Sequence, residues 1–202
     1  MRVTGGTGKG QRLRVPSGSR VRPTSDKVKQ ALFNILGDRV IDAVFFDLYA
    51  GAGGIGIEAL SRGASRVVFV DSSRDSLAVI KRNIEQLGFG DRAQVIQANV
   101  EAFLKKTAEP ADIVFLDPPY AEGMQPLLEL IAGSRLIKKQ DTIVVAEHFK
   151  KQPSPASGGC LVHYRDARYG DTVLAFYTHR SQEQEPGDER QNDDGCIDSR
   201  EY

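Results

Sequence analysis

The amino-acid sequence predicts an α/β fold built on a mainly parallel sheet. Short apolar runs, rich in β-branched and aromatic residues, alternate with amphipathic helical segments. This alternation is typical of βαβ units, in which consecutive strands run parallel. A glycine-rich turn, GAGGIG, closely follows the first of these runs, as at the first turn of many α/β domains. Two apolar strands joined by a short turn close the pattern and indicate a terminal antiparallel hairpin.

Each element is indicated by its own pattern. A first helix is predicted over residues 24–36, because Thr24 or Ser25 can cap it and apolar residues recur at helical spacing. Five strands are predicted at residues 43–48, 66–71, 93–98, 112–117 and 142–147, with helices between them. The hairpin strands at 160–166 and 172–178 bring the sheet to seven strands. Residues 152–159, QPSPASGG, are predicted to be a loop.

The composition is that of a globular chain. Its 202 residues, 40% of them hydrophobic, suffice for one α/β domain with a core. No apolar run approaches the roughly 20 residues of a membrane span, and the N-terminus lacks the apolar segment of a signal peptide. The cysteines and histidines show no metal-binding spacing (Cys160, Cys196, His148, His163 and His179). We therefore expect a cytoplasmic protein with no membrane partner and no metal.

Charge divides the chain into three predicted parts. Residues 1–30 carry eight lysines and arginines against one acid, a net +7, whereas residues 181–202 carry eight acids against two arginines, a net −6. We predict a basic N-terminal hairpin over residues 1–22, an α/β domain over 23–180 and a disordered acidic tail over 181–202. The basic arm suggests a polyanionic partner, and a merely solvated basic face is the alternative.

The segment TGGTGKG at residues 4–10 looks at first like a phosphate-binding loop. It lacks the spacing of that loop, and Gly10 stands where a serine or threonine would hold magnesium. Residues 4–10 are instead predicted to be a flexible turn within the basic hairpin.

The second glycine-rich segment, DLYAGAGGIG, carries a stronger signal. Gly51, Gly53 and Gly56 fit the GxGxxG pattern between a strand and a helix, and Asp71 lies twenty residues beyond Gly51. This matches the dinucleotide fingerprint, in which glycines let the backbone approach the ligand and the acid binds ribose hydroxyls. The pattern alone fits NAD as well as another adenosine ligand, and a tight turn without any ligand is a third possibility.

Asp47 favours one adenosine ligand. It ends the strand before the glycines, and a second carboxylate there suits a ligand with an amino group better than a pyrophosphate. S-adenosylmethionine has that amino group. Ligands of open α/β sheets bind at the carboxyl ends of the strands. Asp47, Asp71, Asn99 and Asp117 occupy such ends or the positions just after them, so we expect them to line one crevice.

The sequence DPPY at residues 117–120 predicts the chemistry. The lone pair of an exocyclic aromatic amine is delocalised into its ring, so such an amine is a poor nucleophile. Two acceptors aimed at its hydrogens, the Asp117 carboxylate and the Pro118 carbonyl held by Pro119, favour a pyramidal nitrogen with a free lone pair. Tyr120 can stack on the base, which is worth about 1–3 kcal/mol. A simple strand-ending turn is the alternative interpretation of these residues.

With these motifs in place, residues 1–180 resemble the bacterial 16S rRNA guanine-N2 methyltransferases of the small ribosomal subunit. The glycine motif and DPPY are shared with many amino-methyltransferases, whereas the arm together with ALSRGA and RYGDT is more specific. The segments that carry the resemblance are RVTGGTGKGQRLRVP, RPTSDKVKQALFNIL, DLYAGAGGIGIEALSRGA, VVFVDSS, VIQANVEAFL, DIVFLDPPY, VVAEH and RYGDTVLAFY.

The resemblance implies a Rossmann-like class I S-adenosylmethionine-dependent methyltransferase fold and a hairpin that engages rRNA, within a partly assembled 30S particle. The implied cofactor-binding residues are Thr24, Asp47, Tyr49, Ala50, Gly51, Gly53, Gly56, Asp71, Ser72, Asn99, Val100 and Asp117. The implied rRNA-binding residues are Lys9, Arg12, Arg14, Arg20, Arg22 and Tyr120.

The chain departs from the family at three positions. Asn99 stands where the family often has aspartate near the adenine, although its oxygen is still an acceptor. Lys27 and Lys29 replace arginines, which would weaken a bidentate grip on phosphate.

The sequence therefore predicts a monomeric enzyme that transfers a methyl group from S-adenosylmethionine to a guanine amine of 16S rRNA and releases S-adenosylhomocysteine. The base is expected to be flipped out of the RNA. One alternative is an adenine-N6 DNA methyltransferase, which the small size of the chain opposes. An NAD-dependent oxidoreductase is opposed by Asp47. A non-catalytic rRNA-binding assembly factor with the same fold is the third alternative.

Overall fold

The computed structural model describes residues 1–16, 25–119, 123–137 and 141–179. These residues form one sheet of eight strands in the order β3-β2-β1-β4-β5-β8-β7-β6. The strands are β1 Val44–Leu48, β2 Arg66–Asp71, β3 Ala93–Gln97, β4 Ile113–Leu116, β5 Ile143–Phe149, β6 Ser157–Gly158, β7 Leu161–Tyr169 and β8 Thr172–His179. Strands β1 to β5 are parallel, and β6 to β8 join them as an antiparallel extension. The predicted α/β fold with a terminal antiparallel hairpin is confirmed.

Five helices cover the two faces of the sheet in the described part of the chain. They are α1 Asp26–Leu36, α2 Gly54–Ser61, α3 Arg74–Leu87, α4 Val100–Leu104 and α5 Met124–Ala132. Helices α1, α2 and α3 enclose one core with one face of the sheet, and α4 and α5 enclose a second core with the other face. Ser25 caps α1, because its hydroxyl accepts a hydrogen bond from the Val28 amide at 3.3 Å. Thr24, the other predicted cap, lies outside the described residues.

The segment predicted as a loop at residues 152–159 contains the short edge strand β6, so that prediction was wrong for Ser157 and Gly158. Gly158 pairs with Leu161 of β7. A Cβ atom on Gly158 would come within 2.5 Å of the Leu128 Cβ atom, so only glycine lets this strand lie directly against α5. The loop was predicted because residues 152–159 are rich in glycine and serine. Gly158 nevertheless suits a strand, because the absence of a side chain lets the strand pack closely against α5.

The first sixteen residues form a hairpin that packs onto the domain. An antiparallel bridge joins Arg2 and Arg12, and Val3 and Leu13 are buried in the same core as α1 to α3. The turn at residues 4–10 was predicted to be flexible, but hydrogen bonds hold it against the end of α2. The Thr7 amide donates to the Ser61 carbonyl and the Gly8 amide to the Ser61 hydroxyl, each at 2.8 Å. The predicted boundaries at residues 22 and 180, and the acidic tail, lie outside the described residues.

A buried charged cluster fixes the hairpin to α1 and α2. Glu58 of α2 is fully buried, and its carboxylate accepts hydrogen bonds from the backbone amide and the hydroxyl of Thr4 at 2.8 and 2.7 Å. Lys29 of α1, also fully buried, lies 3.4 Å from the same carboxylate and donates to the Arg2 carbonyl. The Arg62 guanidinium completes the cluster at 2.9 Å from Glu58. Lys29, one of the two lysines that stand where the family has arginines, is therefore buried against α2 and is not exposed on the surface of the arm.

No helix within the described ranges has both the length and the apolar character needed to cross a bilayer.

Candidate active site

Three carboxylates meet at the carboxyl edge of the parallel strands. Asp47 lies in β1, Asp71 ends β2, and Asp117 directly follows β4. Strand β1 lies between β2 and β4, so these three ends are neighbours in the sheet. The chain passes from β1 to β2 on one side and returns to β4 on the other, which makes this edge the switch point where open α/β sheets bind ligands. The structure therefore brings these three residues to one edge of the sheet, where the sequence predicted a ligand crevice.

Asp47 is the most deeply buried of the three, with 2% of its surface exposed. One carboxylate oxygen accepts a hydrogen bond from the Gly56 amide at 2.8 Å. Burial, with smaller contributions from the charges of Asp71 and Asp117, raises the pKa of Asp47 to about 8 against the lowering effect of the Gly56 hydrogen bond. A positively charged ligand beside Asp47 would relieve this unfavourable environment.

Asp71 connects the end of β2 to the glycine-rich turn. One of its oxygens accepts from the Gly51 amide and the other from the Ser73 amide, both at 2.8 Å. Each carboxylate oxygen keeps a further lone pair, so Asp71 can still accept hydrogen bonds from ligand hydroxyls. Ser72, between these partners, is exposed beside the crevice.

The turn between β1 and α2 has a backbone shape that suits a ligand. Tyr49, Gly51 and Gly53 have φ angles of +62°, +55° and +76°, in the left-handed region that side chains disfavour. Tyr49 is not a glycine, and such conformations at non-glycine residues cluster at functional sites. The Ala50 amide donates to the Val70 carbonyl at 3.0 Å, which fixes this turn to β2.

Gly56 has a packing role. A Cβ atom at this position would come within 2.3 Å of the Phe69 ring, so glycine allows α2 to lie directly against β2. The third glycine of the predicted fingerprint thus sets the distance between helix and sheet, as that pattern requires.

The DPP segment leaves β4 next to Asp47. Burial raises the pKa of Asp117 to about 6, and Asp117 contributes in turn to the raised pKa of Asp47. Asp117 and Pro118 are half-buried, and Pro119 is exposed. Tyr120, with Thr24, Arg20 and Arg22, lies outside the described residues, so its predicted stacking role stays a prediction.

Asn99 and Val100 lie at the start of α4, after β3. The Asn99 side-chain oxygen accepts from the Glu101 and Ala102 amides at 2.9 and 3.3 Å, which makes Asn99 the N-cap of α4. The acceptor that was predicted to meet an adenine amine is thus already engaged in capping. Val100 is buried in the core under α4.

The predicted RNA-binding residues of the hairpin that the structure describes are exposed. They are Lys9, Arg12 and Arg14. Asn83 of α3, which sequence reasoning missed, joins this hairpin to the site. It is fully buried, exchanges hydrogen bonds with the Arg14 backbone, and donates to the Ala52 carbonyl of the glycine-rich turn at 3.4 Å. A polar residue between Ile80 and Ile84 on the apolar face of α3 was the signal that could have found it.

Within the described residues, no group of three or more histidine, cysteine or acidic side chains is arranged to hold a metal ion.

Known proteins are similar to this chain in sequence and in fold. The model of the family described as conserved hypothetical protein 95 matches residues 1–178. The chain is 39% identical to YlbH of Bacillus subtilis over 184 residues, which cover 89% of this chain and 100% of that protein. It is 29% identical to ribosomal RNA small subunit methyltransferase D of Escherichia coli over 189 residues, which cover 93% of this chain and 94% of that protein. The solved structure of yhhF from Escherichia coli superposes with a TM-score of 0.80 at 30% identity and covers 90% of this chain and 99% of that one. The chain belongs to the family of ribosomal RNA small subunit methyltransferase D.

Proposed function

We propose that this chain transfers a methyl group from S-adenosylmethionine to the exocyclic N2 amine of a guanine in 16S rRNA. The observation that carries the proposal is the position of Asp117 and Pro118. They leave β4 beside β1, whose end holds the buried Asp47 and continues into the glycine-rich turn. An amine acceptor can therefore be held next to a ligand that lies over that turn.

The residues present fit S-adenosylmethionine. Asp47 is buried between two further carboxylates, and this negative site suits the ammonium and sulfonium charges of the ligand. Asp47 would hold the ammonium, the backbone from Tyr49 to Gly53 would line the methionine part, and Asp71 would accept the ribose hydroxyls. Asn99 and Val100 remain the proposed neighbours of the adenine. The bound ligand supplies a methyl group on a sulfonium that is already activated for transfer.

Asp117 and the Pro118 carbonyl would orient the acceptor. As hydrogen-bond acceptors they draw the two amine hydrogens to one side and leave the nitrogen lone pair free on the other. The nitrogen forms its bond to the methyl carbon as the carbon–sulfur bond breaks. The proton that the nitrogen then loses passes to Asp117, whose raised pKa of about 6 makes it a better base than an ordinary aspartate. Catalysis then combines positioning, electrostatics and this proton transfer.

The substrate assignment rests on the family and on charge. A relative of this chain is named ribosomal RNA small subunit methyltransferase D. Lys9, Arg12 and Arg14 present positive charge on the exposed hairpin, which suits the phosphate backbone of RNA. We therefore propose rRNA within a partly assembled 30S particle as the substrate, with Tyr120 stacking on the flipped guanine.

The test is methyl transfer from radiolabelled S-adenosylmethionine to three acceptors in parallel. These are 30S particles from cells that lack the modification, naked 16S rRNA and duplex DNA, each digested to nucleosides afterwards. The expected product is N2-methylguanosine, strongest with the particle, and Asp117→Ala should form it at least ~10²-fold more slowly. Label in N6-methyladenine from DNA would overturn the substrate. No label, from protein shown to bind S-adenosylhomocysteine, would favour a non-catalytic rRNA-binding factor.

A further inference from the structure

A groove lies between α1 and β7, on the face of the sheet that α1 covers. Its described lining residues are Lys27, Gln30, Ala31, Asn34 and Ile35 of α1 with Arg165 and Tyr169 of β7. Two of these residues carry positive charge, and none of the described lining residues carries negative charge. The groove is therefore suited to an anionic ligand.

The groove continues into a second depression beside the hairpin. Lys27 and Gln30 line both, and the second is lined further by Arg2, Val3, Thr4, Lys9, Gly10 and Asp26. Asp26 lies 3.3 Å from the Arg2 guanidinium and 3.8 Å from the Lys29 ammonium, so these cations offset its charge. The two depressions are adjacent, because Lys27 and Gln30 line both. Together they are called the α1 track, defined by Arg2, Lys9, Lys27, Gln30, Arg165 and Tyr169.

The far end of the α1 track reaches the edge of the sheet that carries the active site. Tyr169 pairs with Thr172 of β8, and Thr172 pairs with Phe149 at the carboxyl end of β5. Strand β5 is parallel to β4, which Asp117 follows. Strand β7 is the third strand from β4, which corresponds to about 14 Å across the sheet at the usual strand spacing. A few nucleotides of single strand can span that distance.

The side chains of the α1 track match the chemistry of single-stranded RNA. Lys27 and Arg165 can contact phosphates, and the Gln30 amide can bond base edges or 2′-hydroxyls. Tyr169 is 37% exposed and offers a ring on which an unpaired base can stack, whereas the paired bases of a duplex are already stacked. The Arg165 guanidinium lies 5.9 Å above the Phe176 ring, which positions it beside the groove.

We propose that the α1 track binds a single-stranded segment of the RNA substrate next to the target nucleotide. This inference rests on the proposed function, since it extends the RNA contact from the hairpin across α1 to the turn after Tyr169. The RNA would then contact the hairpin on one side of α1 and β7 on the other side. This arrangement also gives a role to the segment RYGDT at residues 168–172, which the proposed active site does not use.

The test measures RNA affinity separately from methyl transfer. The probe is a fluorescein-labelled single-stranded RNA of mixed sequence, titrated by anisotropy at several potassium chloride concentrations. The double variant Lys27→Gln/Arg165→Gln should bind more weakly, with the salt slope reduced by about 1.4, since each phosphate contact contributes about 0.7. Tyr169→Ala should weaken binding roughly 5-fold or more without changing that slope.

The matched control is Lys105→Gln/Lys106→Gln. These exposed lysines follow α4, on the opposite face of the sheet, and the substitution changes the net charge by the same amount. A track variant that loses no more affinity than this control would overturn the inference, as would a labelled duplex of the same sequence that binds equally well. Methyl transfer by the unmodified protein is measured alongside. If the unmodified protein transfers methyl groups but the track variants bind RNA as tightly as it does, the inference alone is overturned. If the unmodified protein is inactive but the track variants lose RNA affinity, the proposed function alone is overturned.

Discussion

The side chain of Asn83 and the backbone of Arg14 exchange two hydrogen bonds. The Arg14 amide donates to the Asn83 oxygen at 2.9 Å, and the Asn83 nitrogen donates to the Arg14 carbonyl at 3.1 Å. The same nitrogen reaches the carbonyl of Ala52 in the glycine-rich turn. One buried amide therefore connects the basic hairpin to the turn that would hold the cofactor, and we expect RNA binding and cofactor binding to be coupled through it.

Asn83→Ala should lower the free energy of unfolding by about 1–3 kcal/mol, because it leaves buried backbone groups without partners. The substitution should also reduce the coupling between RNA and S-adenosylhomocysteine, measured as the change in affinity for one ligand when the other is present. That change is reciprocal between the two ligands. Glu85→Ala on the exposed side of α3 is the control. Unchanged coupling in a folded Asn83→Ala protein would show that the bridge is structural only.

Asp47 should make the stability of the ligand-free protein depend on pH. Its folded pKa of about 8 lies above the ordinary value of 3.8. Its contribution is therefore fully present below about pH 4 and is lost as the pH rises through about 8, by at most about 1.4 kcal/mol per pH unit. Asp47→Asn should flatten the decline of the unfolding free energy between pH 5 and 8, as followed by urea denaturation. Parallel curves for the two proteins would contradict the raised pKa.

The same residue should release a proton when S-adenosylhomocysteine binds. The ammonium of the ligand favours the ionised form of Asp47, so at pH 7 binding should expel the proton that the raised pKa retains. Calorimetry in buffers of different ionisation enthalpy measures this release directly. The Asp47→Asn variant should bind S-adenosylhomocysteine more weakly. It should also release fewer protons on binding than the wild type, because the proton of Asp47 is no longer there to be expelled. If both proteins release the same number of protons on binding, the ammonium of the ligand contacts a residue other than Asp47.

Asp117→Ala should reduce turnover by ~10²-fold or more, because it removes the acceptor that we propose orients the attacking amine. The affinity for S-adenosylhomocysteine should change little, since Asp117 would face the acceptor. The rate of the wild type should rise with pH through about 6, where Asp117 loses its proton. Initial rates with 30S particles across pH 5 to 9 check both points. Near-normal turnover in the variant would refute the assigned role.

Gly56→Ala should destabilise the protein by roughly 1–3 kcal/mol, because its new methyl group would overlap the Phe69 ring and push α2 from β2. Gly90→Ala is the matched control, since a Cβ atom there meets nothing within 4 Å. The measurement is the urea midpoint of each variant with and without S-adenosylhomocysteine. If both variants unfold at the same midpoint, the proposed packing of α2 is wrong.

Local pattern predicted the central strands and the edge at which Asp47, Asp71 and Asp117 meet. That succeeded because parallel βαβ units place all strand ends on one side, so position along the chain determines position in space. Contacts between distant segments were not predictable in the same way. Lys29 was counted among the basic residues of the N-terminal segment, and its burial depends on Glu58, which lies on another helix. The strand at Gly158 likewise depends on the surface of α5.

The Glu58 cluster has a consequence for exchanging parts between members of this family. Its carboxylate is shared by Thr4, Lys29 and Arg62, which come from the hairpin, α1 and the end of α2. Leaving a buried charge without its partner typically costs 3–5 kcal/mol. A chimera that receives a foreign hairpin must therefore receive a compatible set of all four residues. The basic hairpin, α1 and the helix of the glycine-rich motif must in this respect be exchanged together.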